Sequence, residues 1–294
     1  MARGADVTLV TYERYPALPP DDQLVARALE RRGVSVRAAV WTDPHVDWSA
    51  SPLTVLRATW DYPQRFAEFQ AWLARTEQVT TLVNDAATVR WNAHKRYLAE
   101  LSERGVTIVP TLVVRADEAI DLTAATRARG WNDVVLKPCV GGSSYGTLRV
   151  RGDAIGDVGA AHLRWLQRSG DVLVQRYLTE VETAGERAHI VIDGVWSHAV
   201  RKVPFNDATE TSGEVLHAPS PEERAFVDRV LATLAAPPPY ARVDVVPTAA
   251  GLVLMELELI EPSLYFELAP GSADRLAGVV ETLRPRLTSA QRRC

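Results

Sequence analysis

The sequence predicts an α/β protein with more than one domain. Two observations carry this: strand-like apolar runs alternate with amphipathic helical stretches over the first two thirds, and hairpin-like strands dominate the last third. A third is length, since single hydrophobic cores stop growing near 250 to 300 residues and this chain has 294.

Residues 6–11 (DVTLVT) read as a buried strand and 19–33 as a helix, with Asp21 as its cap, Leu24, Ala28 and Leu29 as its apolar stripe and Gly33 as its end. Strands are expected at 34–41 and 53–60, and a helix over Phe66, Phe69 and Leu73. The order β-α-β-β-α-β marks a first domain over 1–90. One long helix is expected over 86–104, closed by Gly105. Strands at 106–114, 133–138 and 172–178, helices near 118–129 and 160–168, and a Gly-rich loop make a second unit over 91–178. The remainder, 179–294, reads as sheet-rich. Its first hairpin turns at Asp193-Gly194. The polar stretch 204–220 reads as a lid over an active site, 221–234 as a helix, 241–246 and 251–260 as paired strands, and 273–287 as the last helix.

Composition excludes several function classes. Apolar residues at 47% and charged residues at 24% are globular values, and a net charge of -4 without a Lys/Arg block argues against nucleic-acid or membrane partners. Cys139 and Cys294 are too few for a disulfide framework. MARGADVTLVTYERYP is neither a signal peptide nor an anchor, so a cytoplasmic protein is expected, as a monomer or a homo-oligomer. The six histidines lack ligand spacing. Ser197-His198 lacks a nucleophile elbow, which disfavours serine hydrolase chemistry. Only three of the 33 cations are lysine, namely Lys95, Lys137 and Lys202. Codon bias is the simplest reason for a chain that uses Arg almost everywhere, and each surviving lysine is then a candidate for a place where Arg would not serve.

Three segments carry chemistry. Alternation along 253–260 puts Leu254, Glu256, Glu258 and Ile260 on one face and Val253, Met255, Leu257 and Leu259 on the core face. An odd-numbered turn over 247–251 would bring Asp244 to the acidic face. Three converging carboxylates need a cation, and an all-oxygen set suits Mg²⁺ or Mn²⁺; a solvated strand face is the bland alternative. Next, Lys137 at a strand end precedes a loop with Gly141, Gly142 and Gly146, whose amides can approach phosphates. No GK[ST] follows, so this is a flap and not a Walker A loop, an ordinary β-turn being the alternative. Third, Gln175, Arg176 and Leu178 follow a strand and can frame a base, with Glu186 downstream; alone this stretch equally suits an exposed strand.

Lys95 in its helix, Lys137 before the flap, Gln175 to Leu178, Arg242-Val-Asp244 and Glu256-Leu-Glu258-Leu-Ile-Glu261-Pro-Ser263 occur in the order of the ATP-grasp ligases, which this chain resembles over residues 85–265. Whole phrases (Arg57-Ala-Thr-Trp-Asp-Tyr62, Lys95-Arg-Tyr-Leu98, Ser197-His-Ala-Val-Arg-Lys202, Met255 to Tyr265) are similar to the O-ureidoserine cyclo-ligases, the cycloserine-forming branch involved in antibiotic biosynthesis. The resemblance implies a three-domain α/β ATP-grasp architecture, with ATP between the central and C-terminal domains. It implies ATP contacts from Lys95, Lys137, Gly142, Ser143, Ser144, Gly146, Gln175, Arg176 and Leu178, ribose contact from Glu186, and two Mg²⁺ ions on Asp244, Glu256 and Glu258. Many relatives have Asn where Glu258 stands, so this chain adds a negative charge.

The implied reaction joins a small amino-acid carboxylate, activated by ATP, to nitrogen: within one molecule for a cyclo-ligase, between two for a carboxylate–amine ligase. A non-catalytic nucleotide-binding module is the alternative of another class. Arg242 is the expected oxyanion cation, with Lys137 and Lys202 as catalytic lysines; a salt bridge to Glu256 or Glu258 and a solvated position are the bland readings of Arg242 and Lys202. Arg57, Trp60, Asp61, Glu261 and Ser263 are expected at the substrate, although Trp60 also suits a core.

Overall fold

The structure is a computed structural model that describes residues 4–142, 144–202 and 213–284. Its first sheet is parallel, in the order β2-β1-β3-β4, from β1 (Val7–Thr11), β2 (Val36–Val40), β3 (Leu53–Leu56) and β4 (Thr81–Val83). Helix α1 (Pro20–Arg31) starts without the expected cap. Pro19 holds the N-cap position, and Asp21 lies inside the helix, where its Oδ1 accepts the Glu267 amide at 2.9 Å. Pro20 pre-sets the first turn and brings no N–H of its own to satisfy there. Helix α2 (Phe66–Thr76) buries Phe69, Trp72 and Leu73 against the sheet.

The expected long helix is two, α3 (Ala86–Asn92) and α4 (Tyr97–Glu103). The break follows from competition for a donor: the Lys95 amide bonds Cys139 O at 2.8 Å, outside the helix. Lys95 therefore sits in a turn.

The middle sheet is antiparallel, β5-β8-β6-β7, from β5 (Thr111–Val114), β6 (Asp133–Pro138), β7 (Leu148–Arg151) and β8 (Val172–Arg176). Helices α5 (Leu122–Arg127) and α6 (Val158–Gln167) cover it, closing a core that includes Leu122, Val134, Leu163 and Val174. After α7 (Glu180–Thr183) comes the third sheet, antiparallel in the order β11-β10-β9-β12-β13. Its strands are β9 (Glu186–Ile192), β10 (Val195–Lys202), β11 (Glu214–His217), β12 (Tyr240–Thr248) and β13 (Gly251–Glu258). The Asp193-Gly194 turn is as expected, both residues having positive φ (57° and 68°). Only glycine fits at 194, because a Cβ there would lie 2.6 Å from Pro237.

Residues 204–212 of the expected lid lie outside the described residues, and 214–217 is strand β11, paired with β10 from Ala199↔His217 to Lys202↔Glu214. A capping box of Ser220 and Glu223 opens α8 (Pro221–Leu231), and α9 (Ser272–Leu283) follows. The largest core joins the two ends of the chain: Val7, Leu9 and Val55 pack with Ile190, Tyr240, Phe266 and Leu276. Among the described residues, no helix is long and apolar enough to cross a membrane.

Candidate active site

The β12–β13 hairpin reaches the expected outcome by another route. Its turn has two residues, since Thr248 pairs with Gly251, and the register runs through Val245↔Leu254. That register would put Asp244 opposite Met255. A bulge at Met255 instead pairs Asp244 with Glu256 and Arg242 with Glu258. One carboxylate oxygen from each of Asp244, Glu256 and Glu258 lies within 4.8 Å of the others. The bulge also overturns the expected faces: Leu254 joins the Leu257 and Leu259 core, while Met255 faces a cavity.

The edge of β13 is covered by side chains from the α3–α4 junction. Asn92 donates to Leu257 O (2.8 Å) and accepts from Leu259 N (2.7 Å), and the Tyr97 hydroxyl accepts from Leu257 N (3.1 Å). The turn between them holds Lys95 at Glu256, 2.7 Å away, and at Gly141 O, 2.6 Å away.

Cations thread the acids. Arg242 spans both oxygens of Asp244 (Nε to Oδ1, 2.9 Å), pairs with Glu258 and reaches Ser263 O at 3.3 Å. The ion pair with Glu258 is thus present, whereas Lys202 is not the solvated residue its bland reading made it. Its ammonium bonds Glu186 and, at 2.9 Å, Asp244. Burial raises the Asp244 carboxyl, but Arg242 and Lys202 outweigh it and hold it well below the usual range. Burial likewise opposes ionisation of Glu256, which Lys95 and Lys137 reverse. Glu258 is pushed up to about 7 by burial and by Glu256 and Asp244, against Arg242. Lys137 has no hydrogen-bond or ion-pair partner among the described residues, and burial lowers its ammonium.

Two cavities meet over these acids, sharing Lys95, Gly141, Gly142, Glu256 and Glu258. One, of about 260 Å³, gathers Lys137, Ser144, Gln175, Arg176, Leu178 and Glu186. Gln175 donates to Thr111 Oγ1 at 2.9 Å, and Tyr177 lies under the Arg149 guanidinium, 3.3 Å from the ring centre. Gly146 is not in this wall; its carbonyl lies 2.8 Å from His162 Nε2, on the α6 side of the flap. Ser143 lies outside the described residues.

The other cavity, of about 320 Å³, is walled by Trp60, Tyr62, Tyr97, Glu261, Ser263 and Tyr265. Trp60 Nε1 donates to Glu261 O at 3.0 Å. The Glu261 carboxyl is pushed up to about 8 by burial and by Glu258. Two expected substrate residues are elsewhere. Arg57 is fully buried, bonding Asp22 at 2.7 Å and Pro262 O at 2.8 Å, because its guanidinium is the counter-ion of a buried acid. Asp61 is outside the wall and accepts Trp41 Nε1 at 2.7 Å. Sequence reasoning missed Asn92, Tyr97, Tyr62, Tyr265 and Met255. Tyr62, Tyr97 and Tyr265 stood inside the family-like phrases, and Met255 carried a further signal: it and Met1 are the sole methionines, and a flexible thioether suits an adaptable wall.

Comparison with known proteins agrees with this geometry. Residues 7–84 match the family described as D-cycloserine synthetase DcsG, N-terminal domain. Over 278 residues the chain is 32% identical to the cycloserine biosynthesis protein DcsG of Streptomyces lavendulae, covering 86% of this chain and 90% of that one. The chain belongs to the D-cycloserine synthetase family of ATP-grasp ligases. A crystal structure of D-cycloserine synthetase DcsG superposes with a TM-score of 0.85 at 31% identity, covering 94% of this chain and 99% of that chain. A RimK-domain ATP-grasp protein of Sphaerobacter thermophilus shares the fold at a TM-score of 0.68 and 20% identity, over 95% and 98% of the two chains. This ATP-grasp ligase is therefore an ATP-dependent enzyme, and the three sheets are the α/β architecture of its family. That removes the non-catalytic module as a reading.

Proposed function

We propose that this enzyme is a cyclo-ligase: it activates the carboxylate of a small amino acid with ATP and closes an intramolecular amide, converting O-ureido-D-serine to D-cycloserine. The observation that carries this reading is the meeting of two cavities over one cluster of carboxylates, one gathering Lys137, Gln175, Leu178 and Glu186 and the other walled by Trp60, Glu261 and Ser263. We read 1–90 as the substrate domain and 91–178 and 179–294 as the two domains that embrace nucleotide.

The all-oxygen donor set of Asp244, Glu256 and Glu258 fits Mg²⁺, two ions being proposed and Mn²⁺ an acceptable substitute. When bound, the metal neutralises phosphate oxygens. The chain's own groups do the rest. Lys137, lacking a described partner, offers its ammonium to the phosphates, and Lys95 is held beside them by Gly141 O. Gln175 to Leu178 and Met255 take the base, and Glu186 takes the ribose. On the other side, Glu261 and Trp60 receive the substrate ammonium. Its carboxylate displaces ADP from the γ-phosphorus, giving an acyl phosphate. Arg242, which links Asp244 and Glu258 to the Ser263 carbonyl, lies where an oxyanion forms when nitrogen attacks. Nitrogen then displaces phosphate. The ring keeps only the ureido nitrogen bonded to oxygen, so its bond to the carbamoyl carbon must also break: water adds to that carbon, the ring nitrogen takes the proton, and the carbamic acid released falls apart to carbon dioxide and ammonia.

An ADP-release assay with candidate amino acids, singly and in pairs, tests this. Release with one substrate supports cyclisation. A strict need for two substrates would replace it with intermolecular ligation.

A further inference from the structure

The charges around the metal cluster balance before any metal is counted. Five carboxylates (Glu186, Asp244, Glu256, Glu258, Glu261) face five cations (Lys95, Lys137, Arg176, Lys202, Arg242), all walling or bonded within the joined cavities. A divalent ion added alone would bring uncompensated charge into a largely buried site.

The cations differ in how they are held. Arg242 is tied by two acids and the Ser263 carbonyl. Lys95 is tied by Glu256, by Gly141 O and through its own amide to Cys139 O. The Lys202 ammonium bonds only two carboxylates among the described residues, Glu186 directly across from it on β9 and Asp244 one strand further. Its long side chain can swing away without moving β10. The backbone beneath is fixed: Gly185 (φ 75°) packs so closely that a Cβ would lie 2.7 Å from Lys202 O.

Building on the metal assignment made above, we propose that Lys202 is a removable counter-ion for Asp244, so that divalent metal enters together with nucleotide and not alone. While Lys202 holds Asp244 it repels a bare cation. When polyphosphate enters, it supplies negative charge for both the metal and the displaced ammonium, and Asp244 is freed to bind metal.

The test is Mn²⁺ binding to the full chain at pH 8, followed by the electron paramagnetic resonance signal of free Mn²⁺, with and without a non-hydrolysable ATP analogue. Lys202→Met should bind Mn²⁺ alone about tenfold or more tighter than wild type, because one buried acid loses its partner. Lys202→Arg, which keeps the charge, should match wild type. If Lys202→Met fails to fold, Lys202→Gln, which keeps a polar side chain without the charge, should show the same gain, and binding of Mn²⁺ alone no tighter than in wild type overturns the proposal. If wild type binds Mn²⁺ with the analogue but Lys202→Met gains nothing without it, the counter-ion role is wrong and the metal assignment stands. If no protein binds Mn²⁺ under either condition, the metal assignment falls and takes the proposal with it.

Discussion

Replacing Arg57 by alanine separates two roles that its position in the chain leaves entangled. At the end of β3 in an α/β protein it is a natural candidate for substrate contact. In the structure it is fully buried, bonds Asp22 at 2.7 Å and Pro262 O at 2.8 Å, and lies 5.0 Å from the Tyr240 ring centre. Removing one partner of a buried pair costs about 3–5 kcal/mol, because the remaining charge is stranded. For a chain of this size, at about 2 °C per kcal/mol, that lowers the melting temperature by roughly 6–10 °C.

Burial already holds the Asp22 carboxyl above its ordinary value, with Arg57 opposing it. Without Arg57 the folded-state value rises further while the unfolded one stays near about 4. Folding then favours the protonated acid over a wider range, and stability is lost as pH rises through that range. The deficit of Arg57→Ala should therefore be larger at pH 8 than at pH 5, and Asp22→Asn added to it should recover about half or more. Calorimetry across pH, with steady-state kinetics at low temperature, checks this. An unchanged melting temperature with the amino-acid KM raised about a hundredfold would refute the structural role.

Glu256→Gln should lower ADP release by about a hundredfold or more while the protein keeps its native far-ultraviolet circular dichroism, and a chelator should lower it likewise and reversibly. Retained turnover in either case removes Glu256 from the metal cluster. Lys137→Met should raise the KM for ATP with little loss of stability, since burial already disfavours its charge and Glu256, whose ionisation it assists, keeps its ion pair with Lys95; calorimetry beside an ATP titration decides. With the Glu261 carboxyl pushed up to about 8, kcat/KM for the amino acid should rise toward that pH as the group ionises to meet an ammonium. An identical pH profile in Glu261→Gln would exclude that role.

Much of the site was legible because its chemistry is periodic. The acids of β13 announce themselves by alternation, and the rarity of lysine flagged all three residues that the structure brings to the two cavities or their acids. What stayed hidden depends on donors and acceptors far away in the chain. The register worked only because two departures cancelled, a two-residue turn and a bulge at Met255, neither of which alternation reveals. Nothing near Lys95 signals a helix break, since Cys139 O, its amide's partner, lies 44 positions on. Arg57 and Asp61 misled because a charged residue at a strand end looks alike whether it faces a ligand or an internal partner. The roles of Asn92 and Tyr97 were invisible because they cover a strand edge that exists only in the fold.

The core shared by the chain's two ends bears on what counts as a unit here. Residues 7–84 form a recognisable family segment, yet the apolar side of their sheet rests on Ala188, Ile190, Ile192, Tyr240, Leu264 and Phe266, and α1 lies against α9 through Arg31–Asp274 and Arg32–Glu281. The Tyr240 hydroxyl lies within 2.9 Å of carbonyls at the ends of β3 and β4. Cut away from the rest, this segment would lose the surface that covers its sheet. The wall in which Trp60 meets Glu261 is therefore built from both ends of the chain, so that a change in either end reaches the same cavity.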